Sequence, residues 1–169
     1  MPPGGNRRID RVLDPSFLEG LDHAPLDALR EKRDECAEEE SVLSYERSLI
    51  HTRLRLLKAE IERRRTGGPA RSIIDNLAQI LSDENVTHRG SFPSLEAPPL
   101  PDNPRRRVEK LVNDDTLARL PDLSETEIAD ATVKLEAAES DVSESRRSVH
   151  AVLDRLIEEI GRRKAGADA

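Results

Sequence analysis

At 169 residues the chain has room for one domain or two small ones. Charged residues make up 36% of it and aromatics 2%, which excludes a thick core built on ring packing. A net charge of −7 argues against nonspecific nucleic-acid binding, because phosphates are neutralised by clustered cations.

The apolar residues are mainly Leu, Ile, Val and Ala at helical spacing, the mixture used by long helices and coiled coils. Cys36 stands alone, so no intrachain disulfide can form and a reducing compartment fits. No apolar run approaches the ~20 residues of a membrane span. The first five residues lack the apolar stretch of a signal peptide, so the expected location is the cytoplasm.

In chain order, residues 15–21 read as a short helical turn that folds back. Residues 25–65 read as a long helix, with Pro25 suited to its first turn. Gly67-Gly68-Pro69 stops that helix. Residues 72–81 follow as a short amphipathic helix, and 82–104 carry five prolines, the composition of an extended tether. A second short turn is predicted at 114–120. A second long helix covers 124–164, opened by a capping box in which Ser124 is followed three residues later by Glu127.

The two halves repeat each other. Glu40-Ser41 recurs as Glu139-Ser140, an offset of 99 positions (139 minus 40), and Ser44, Arg47, His51, Leu54, Glu60, Arg63 and Arg64 recur at the same offset without a gap. Upstream, Arg7-Arg8-Ile9 faces Arg106-Arg107-Val108. Residues 1–66 therefore form a first unit, 67–105 a short helix and Pro-rich linker, and 106–169 a second unit. Fusion of an ancestral homodimer is the simplest history, and a monomer is the expected state.

Heptads place Cys36, Leu43, Ile50 and Leu57 at d in the first helix, with Leu135, Val142, Val149 and Leu156 at d in the second. The fold class expected is all-α, two long helices in an antiparallel coiled coil made by internal duplication. Position a changes character along each helix. Leu54, Ile61, Leu153 and Ile160 are aliphatic, but Glu40, Arg47, Glu139 and Arg146 put charges where a coiled coil wants aliphatics.

These charges belong to longer polar rows. Glu40, Ser44, Arg47, His51 and Arg55 are spaced 4, 3, 4 and 4 apart, as are Glu139, Ser143, Arg146, His150 and Asp154. At about 100° per residue each row occupies a stripe roughly 80° wide beside the apolar seam. An acid, a hydroxyl, a guanidinium and an imidazole in one stripe can grip a polar ligand. Alternatively, Glu40 pairs with Arg146 and Arg47 with Glu139 merely to set antiparallel register. The repeated Ser and His are not needed for that.

The rows resemble the E-x3-S-x2-R-x3-Q-x3-D signature of the RsiG family, actinobacterial anti-sigma factors that bind cyclic di-GMP. Glu40, Ser44 and Arg47 match in the first copy; Glu139, Ser143, Arg146 and Asp154 match in the second. His51 and His150 stand where the family has Gln, and Arg55 reverses the charge of the final Asp. The resemblance implies a coiled coil holding a dimer of cyclic di-GMP, two nucleotides per chain and no metal. It also implies a WhiG-type sigma factor bound only when the nucleotide is present. Ile73, Ile74, Leu77, Ile80 and Leu81 are candidates for sigma contact, or alternatively simply cap the coiled coil.

Two other classes stand beside this one. The first is a structural coiled-coil adaptor with no small ligand. The second is an enzyme, for which the chain offers no glycine-rich phosphate loop, no Cys/His metal spacing and no nucleophile elbow. No direct DNA binding and no membrane contact are expected.

Overall fold

The computed structural model describes residues 7–68, 116–117 and 119–167. The segment predicted as a helix at 72–81, the Pro-rich 82–104 and the opening of the second copy at 106–115 lie outside the described residues. Among the described residues the chain is all-helical: α1 (Arg8–Val12), a 3-10 turn (Pro15–Leu18), α2 (Leu26–Thr66), a second 3-10 turn (Leu120–Asp122) and α3 (Glu125–Ala167). Both long helices and the first turn fall where the sequence put them; the second turn, expected at 114–120, is found at Leu120–Asp122. The turn of helix at α1 carries no periodic signal and is an addition.

The helix ends follow from local chemistry. Glu127 accepts from the Ser124 backbone N–H at 2.7 Å and hydroxyl at 2.8 Å, while the Glu127 N–H donates back to Ser124 Oγ at 3.2 Å, the reciprocal bonds of a capping box. Pro25 sits immediately before the first residue of α2, and its carbonyl accepts from the Leu29 N–H at 3.1 Å. At the other end Gly67 takes a left-handed φ of 71°, with Gly68 N bonded to Arg63 O and Gly67 N to Arg64 O. That pair of bonds is a Schellman motif, and the residue in it at positive φ is most cheaply a glycine.

The chain divides into two compact units, Met1–Ser44 with Val142–Ala169, and Tyr45–Asp141. These boundaries differ from those of the repeats. Each unit combines the front part of one long helix with the back part of the other, so neither copy supplies a unit by itself.

In the first unit the helices run antiparallel: Glu40 meets Arg146, and lower-numbered Leu21 and Ala24 meet higher-numbered Arg163. Its core holds Val12, Phe17, Leu29, Cys36, Leu43, Val149, Leu156 and Ile160. Burial pushes the Cys36 thiol up to about 11, with Glu35 adding to the shift, so this cysteine packs as a small apolar group. The segment carrying α1 is fastened to α2 by charge. Arg8 reaches Glu38 at 3.0 Å, Arg11 bonds Glu35, and Lys32 Nζ stands 5.0 Å above the Phe17 ring.

In the second unit Arg47 meets Glu139 while Arg64 meets the turn at Leu120–Asp122, again antiparallel. Ile50, Leu54, Leu57, Leu120, Leu123, Ile128, Leu135 and Ala138 form its core. The expected d residues are buried in both units. Position a does not behave uniformly, since Ile61 is 45% exposed whereas its counterpart Ile160 is buried. The buried face of α2 is centred on d, with a and g as shoulders roughly 50° to either side. Glu39, Glu46 and Glu60 occupy g and turn inward.

Glu60 shows how a carboxylate is held inside. It accepts from Arg63 at 2.7 and 2.8 Å and from Arg64 at 2.6 Å. Arg64 then donates to the carbonyls of Leu123 at 2.6 Å, Leu120 at 3.2 Å and Pro121 at 3.4 Å. The arrangement repeats at the 99-position offset. Glu159 accepts from Arg162 and Arg163, and Arg163 donates to the carbonyls of Ala24 and Leu21. Each helix thus ends in an arginine that clasps the entry turn of the other, satisfying carbonyls that helical bonding leaves over.

These clasps make stability depend on pH. Hydrogen bonds from Arg63 and Arg64 hold the Glu60 carboxyl below its ordinary value of 4.5, and Arg162 with Arg163 does the same for Glu159. A carboxyl depressed in the folded state contributes stability above its unfolded value and loses it as pH falls through the folded value. The midpoint of thermal unfolding followed by circular dichroism should fall steadily from about pH 5 to about pH 3. Glu60→Gln should flatten part of that slope, and a wild-type profile without slope in this window would contradict the assignment.

Candidate functional site

The polar rows sit where α2 and α3 face each other, and each unit brings part of one row against part of the other. In the first unit Arg146 Nε donates to Glu40 Oε1 at 2.9 Å and to Ser44 Oγ at 2.9 Å, while the Ser44 hydroxyl donates to the same Glu40 oxygen at 2.7 Å. His150 Nε2 lies 3.2 Å from that oxygen. One carboxylate oxygen therefore collects a hydroxyl, a guanidinium and an imidazole from two helices.

In the second unit the same residue types recur with the helices exchanged. Arg47 Nε donates to Glu139 Oε1 at 3.1 Å, and His51 Nε2 lies 3.3 Å from it. That imidazole contact is close but off the geometry of a hydrogen bond. Glu40 is the counterpart of Glu139, Arg146 of Arg47 and His150 of His51. The duplication is expressed as chemistry as well as fold.

The surroundings suit ion pairing that is poised rather than sealed. Glu40 is 21% exposed and Arg146 36%. Burial pushes the Glu40 carboxyl up, but the Ser44 hydroxyl, the Arg146 guanidinium and nearby His150 outweigh it and hold the group below the ordinary glutamate value. Arg146 engages through Nε; its two η nitrogens take no hydrogen-bond partner among the described residues. A half-exposed guanidinium whose fork is open can receive a planar acceptor edge or a phosphate.

Of the ten residues singled out from sequence, Glu40, Ser44, Arg146 and His150 converge in one cluster and Arg47, His51 and Glu139 in the other. Ser143 is half-buried on α3, and Arg55 is half-buried on α2. Asp154 is exposed. The sequence reading missed the arginine clasps at Arg64 and Arg163. The signal available was the recurrence of Glu60, Arg63 and Arg64 as Glu159, Arg162 and Arg163.

Among the described residues no group of three or more His, Cys, Asp or Glu could hold a metal ion, and no helix is long and apolar enough to cross a membrane. No curated protein matches the chain. The model of the family described as RsiG-like matches residues 15–81, a span containing α2 with its whole polar row. This match spans the first copy and the segment after it, less than half of the chain, and supports an RsiG family assignment there.

Proposed function

We propose that the chain is a cyclic di-GMP-dependent anti-sigma factor that sequesters a WhiG-type sigma factor when the nucleotide is bound. The observation that carries this reading is the pair of reciprocal clusters, Glu40–Ser44–Arg146–His150 and Glu139–Arg47–His51. Each supplies a carboxylate and an arginine, groups that a guanine nucleotide asks for, and the first adds the Ser44 hydroxyl. A carboxylate accepts the guanine N1–H and N2–H. An arginine forks onto O6 and N7 or takes a phosphate, and a hydroxyl suits a phosphate oxygen. Two clusters fit two nucleotides per chain.

Regulation then has a thermodynamic form. The nucleotide favours one arrangement of the helices, the sigma factor binds that arrangement, and each ligand raises the affinity of the other by the same factor. Similarity to the RsiG-like family over residues 15–81 supports a sigma factor as the protein partner. The cytoplasm is where such a partner would be met.

A second reading has an observation of its own. The Glu40–Arg146 and Arg47–Glu139 pairs are the register-setting bridges that a plain coiled-coil adaptor would use. Calorimetry separates the two. Titration with cyclic di-GMP should give saturable heats near two nucleotides per chain, and sigma-factor capture should require nucleotide. Heats no different from buffer would leave the adaptor reading.

A further inference from the structure

Each of the two polar clusters contains an imidazole set beside its carboxylate. His150 Nε2 lies 3.2 Å from Glu40 Oε1, and His51 Nε2 lies 3.3 Å from Glu139 Oε1. Neither ion pair needs the ring, since Arg146 bonds Glu40 and Arg47 bonds Glu139 directly. Nε2 of His51 is closed off from solvent and takes no hydrogen bond among the described residues. A buried polar atom left without a bond is costly, and an arriving ligand oxygen would satisfy it. Histidine is also the one side chain in these rows that ordinarily changes charge near neutral pH.

The charges around each ring come from both long helices. From α2, His150 meets Glu40, whose oxygen also holds the Ser44 hydroxyl; Arg146 and Asp154 flank it on α3. Elsewhere in the first unit, α1 turns Arg8 to Glu38 and Arg11 to Glu35, and Asp22 pairs with Arg162. From α3, His51 meets Glu139; Arg47 and Arg55 flank it on α2. Elsewhere in the second unit, Lys58 reaches Glu136, and Arg64 engages Glu60 and the turn at Leu120–Asp122. Glu39, Glu46 and Arg53 lie at g, on the opposite shoulder of α2 from the row. With neutral rings, the Glu40–Arg146 and Glu139–Arg47 pairs each balance. Asp154 and Arg55 tilt that balance in opposite directions, but they do so with and without a ligand.

A cyclic dinucleotide brings anionic phosphodiesters, and neither these nor guanine titrates near neutral pH. An anion settling beside Arg146 or Arg47 gives the neighbouring imidazole a second negative charge in range, which favours the protonated ring. Glu40 and Glu139 keep their charge while accepting guanine N–H groups, so that gain is not offset. From this juxtaposition we infer that His51 and His150 couple nucleotide binding to proton uptake, so that acidification tightens cyclic di-GMP recognition. The liganded chain binds more protons than the free chain. By linkage, affinity falls as pH rises through the range in which the rings lose their protons. Sequestration of the sigma factor inherits the same dependence, because nucleotide and partner raise one another's affinity. The inference rests on the nucleotide-binding reading and states how that same site is regulated.

The test is calorimetric titration of the full chain with cyclic di-GMP at about pH 6 and about pH 8. Affinity should be about fivefold higher per site at the lower value. Titrations at neutral pH in buffers of different ionisation enthalpy should show net proton uptake. The double variant His51→Gln with His150→Gln keeps a neutral donor and acceptor in each cluster and leaves His23 and His88 in place. It should bind within about threefold of wild type at about pH 8 and lose the rise on acidification. Each single Gln variant should lose that rise at one of its sites only. Wild-type affinity that does not change with pH overturns the inference and leaves nucleotide recognition standing, as does a rise that persists in the double variant. Heats no different from buffer at either pH remove the nucleotide reading itself, and the inference with it.

Discussion

Replacing Arg64 with Ala is expected to lower the thermal midpoint by about 8 °C, corresponding to a loss of about 2 to 3 kcal/mol in a chain of this size. Arg64 holds together groups that cannot easily find other partners. Its Nε satisfies Glu60, whose side chain is 1% exposed, and its η nitrogens take up the carbonyls of Leu120, Pro121 and Leu123. Truncation leaves Glu60 with Arg63 alone and strands three carbonyls beside buried Leu120 and Leu123. Arg64→Lys should recover little of the loss, because a single ammonium cannot fork between a carboxylate and several carbonyls. Arg65 makes the comparison sharp. It bonds Glu62 at 2.7 Å, but both partners are largely exposed, and Arg65→Ala should shift the midpoint by less than about 2 °C. Equal melting of the Arg64 and Arg65 variants would mean that the clasp contributes nothing. Arg163→Ala, acting on the Leu21 and Ala24 carbonyls, should resemble Arg64→Ala.

That clasp marks the limit of what the residues disclosed on their own. The long helices were legible because heptad spacing, a capping box at Ser124 and the glycine pair after Thr66 each have a sequence signature. The polar rows were legible because they recur at a fixed offset, and so was the register that pairs Glu40 with Arg146. A guanidinium bonded to backbone carbonyls leaves no such trace, since every residue has a carbonyl. The inward turn of Glu39, Glu46 and Glu60 was hidden for a related reason. Position g is read as a solvated flank, and a carboxylate turns in only when tertiary partners satisfy it. The exposure of Ile61 is the other side of that effect: when the g shoulder is drawn in, an a residue on the opposite shoulder can be left out.

Exchanging the charges of the central pairs should separate ligand recognition from helix register. In Glu40→Arg with Arg146→Glu, a carboxylate and a guanidinium still meet between α2 and α3, so a register-setting bridge survives with its partners transposed. The melting midpoint should stay within about 4 °C of wild type, because a half-exposed pair contributes about 1 kcal/mol or less. Cyclic di-GMP binding should nevertheless fall by about a hundredfold, because the carboxylate and the guanidinium fork no longer stand in the positions that face guanine or phosphate. Single Arg146→Ala cannot make this distinction, since it removes the bridge and the ligand contact together and leaves Glu40 short of a partner. The corresponding Arg47→Glu with Glu139→Arg tests the second cluster, and a loss confined to one of the two titrated sites would identify which nucleotide each cluster holds. If both transposed variants bind nucleotide as wild type does, the rows are a registration device and the nucleotide must be received elsewhere.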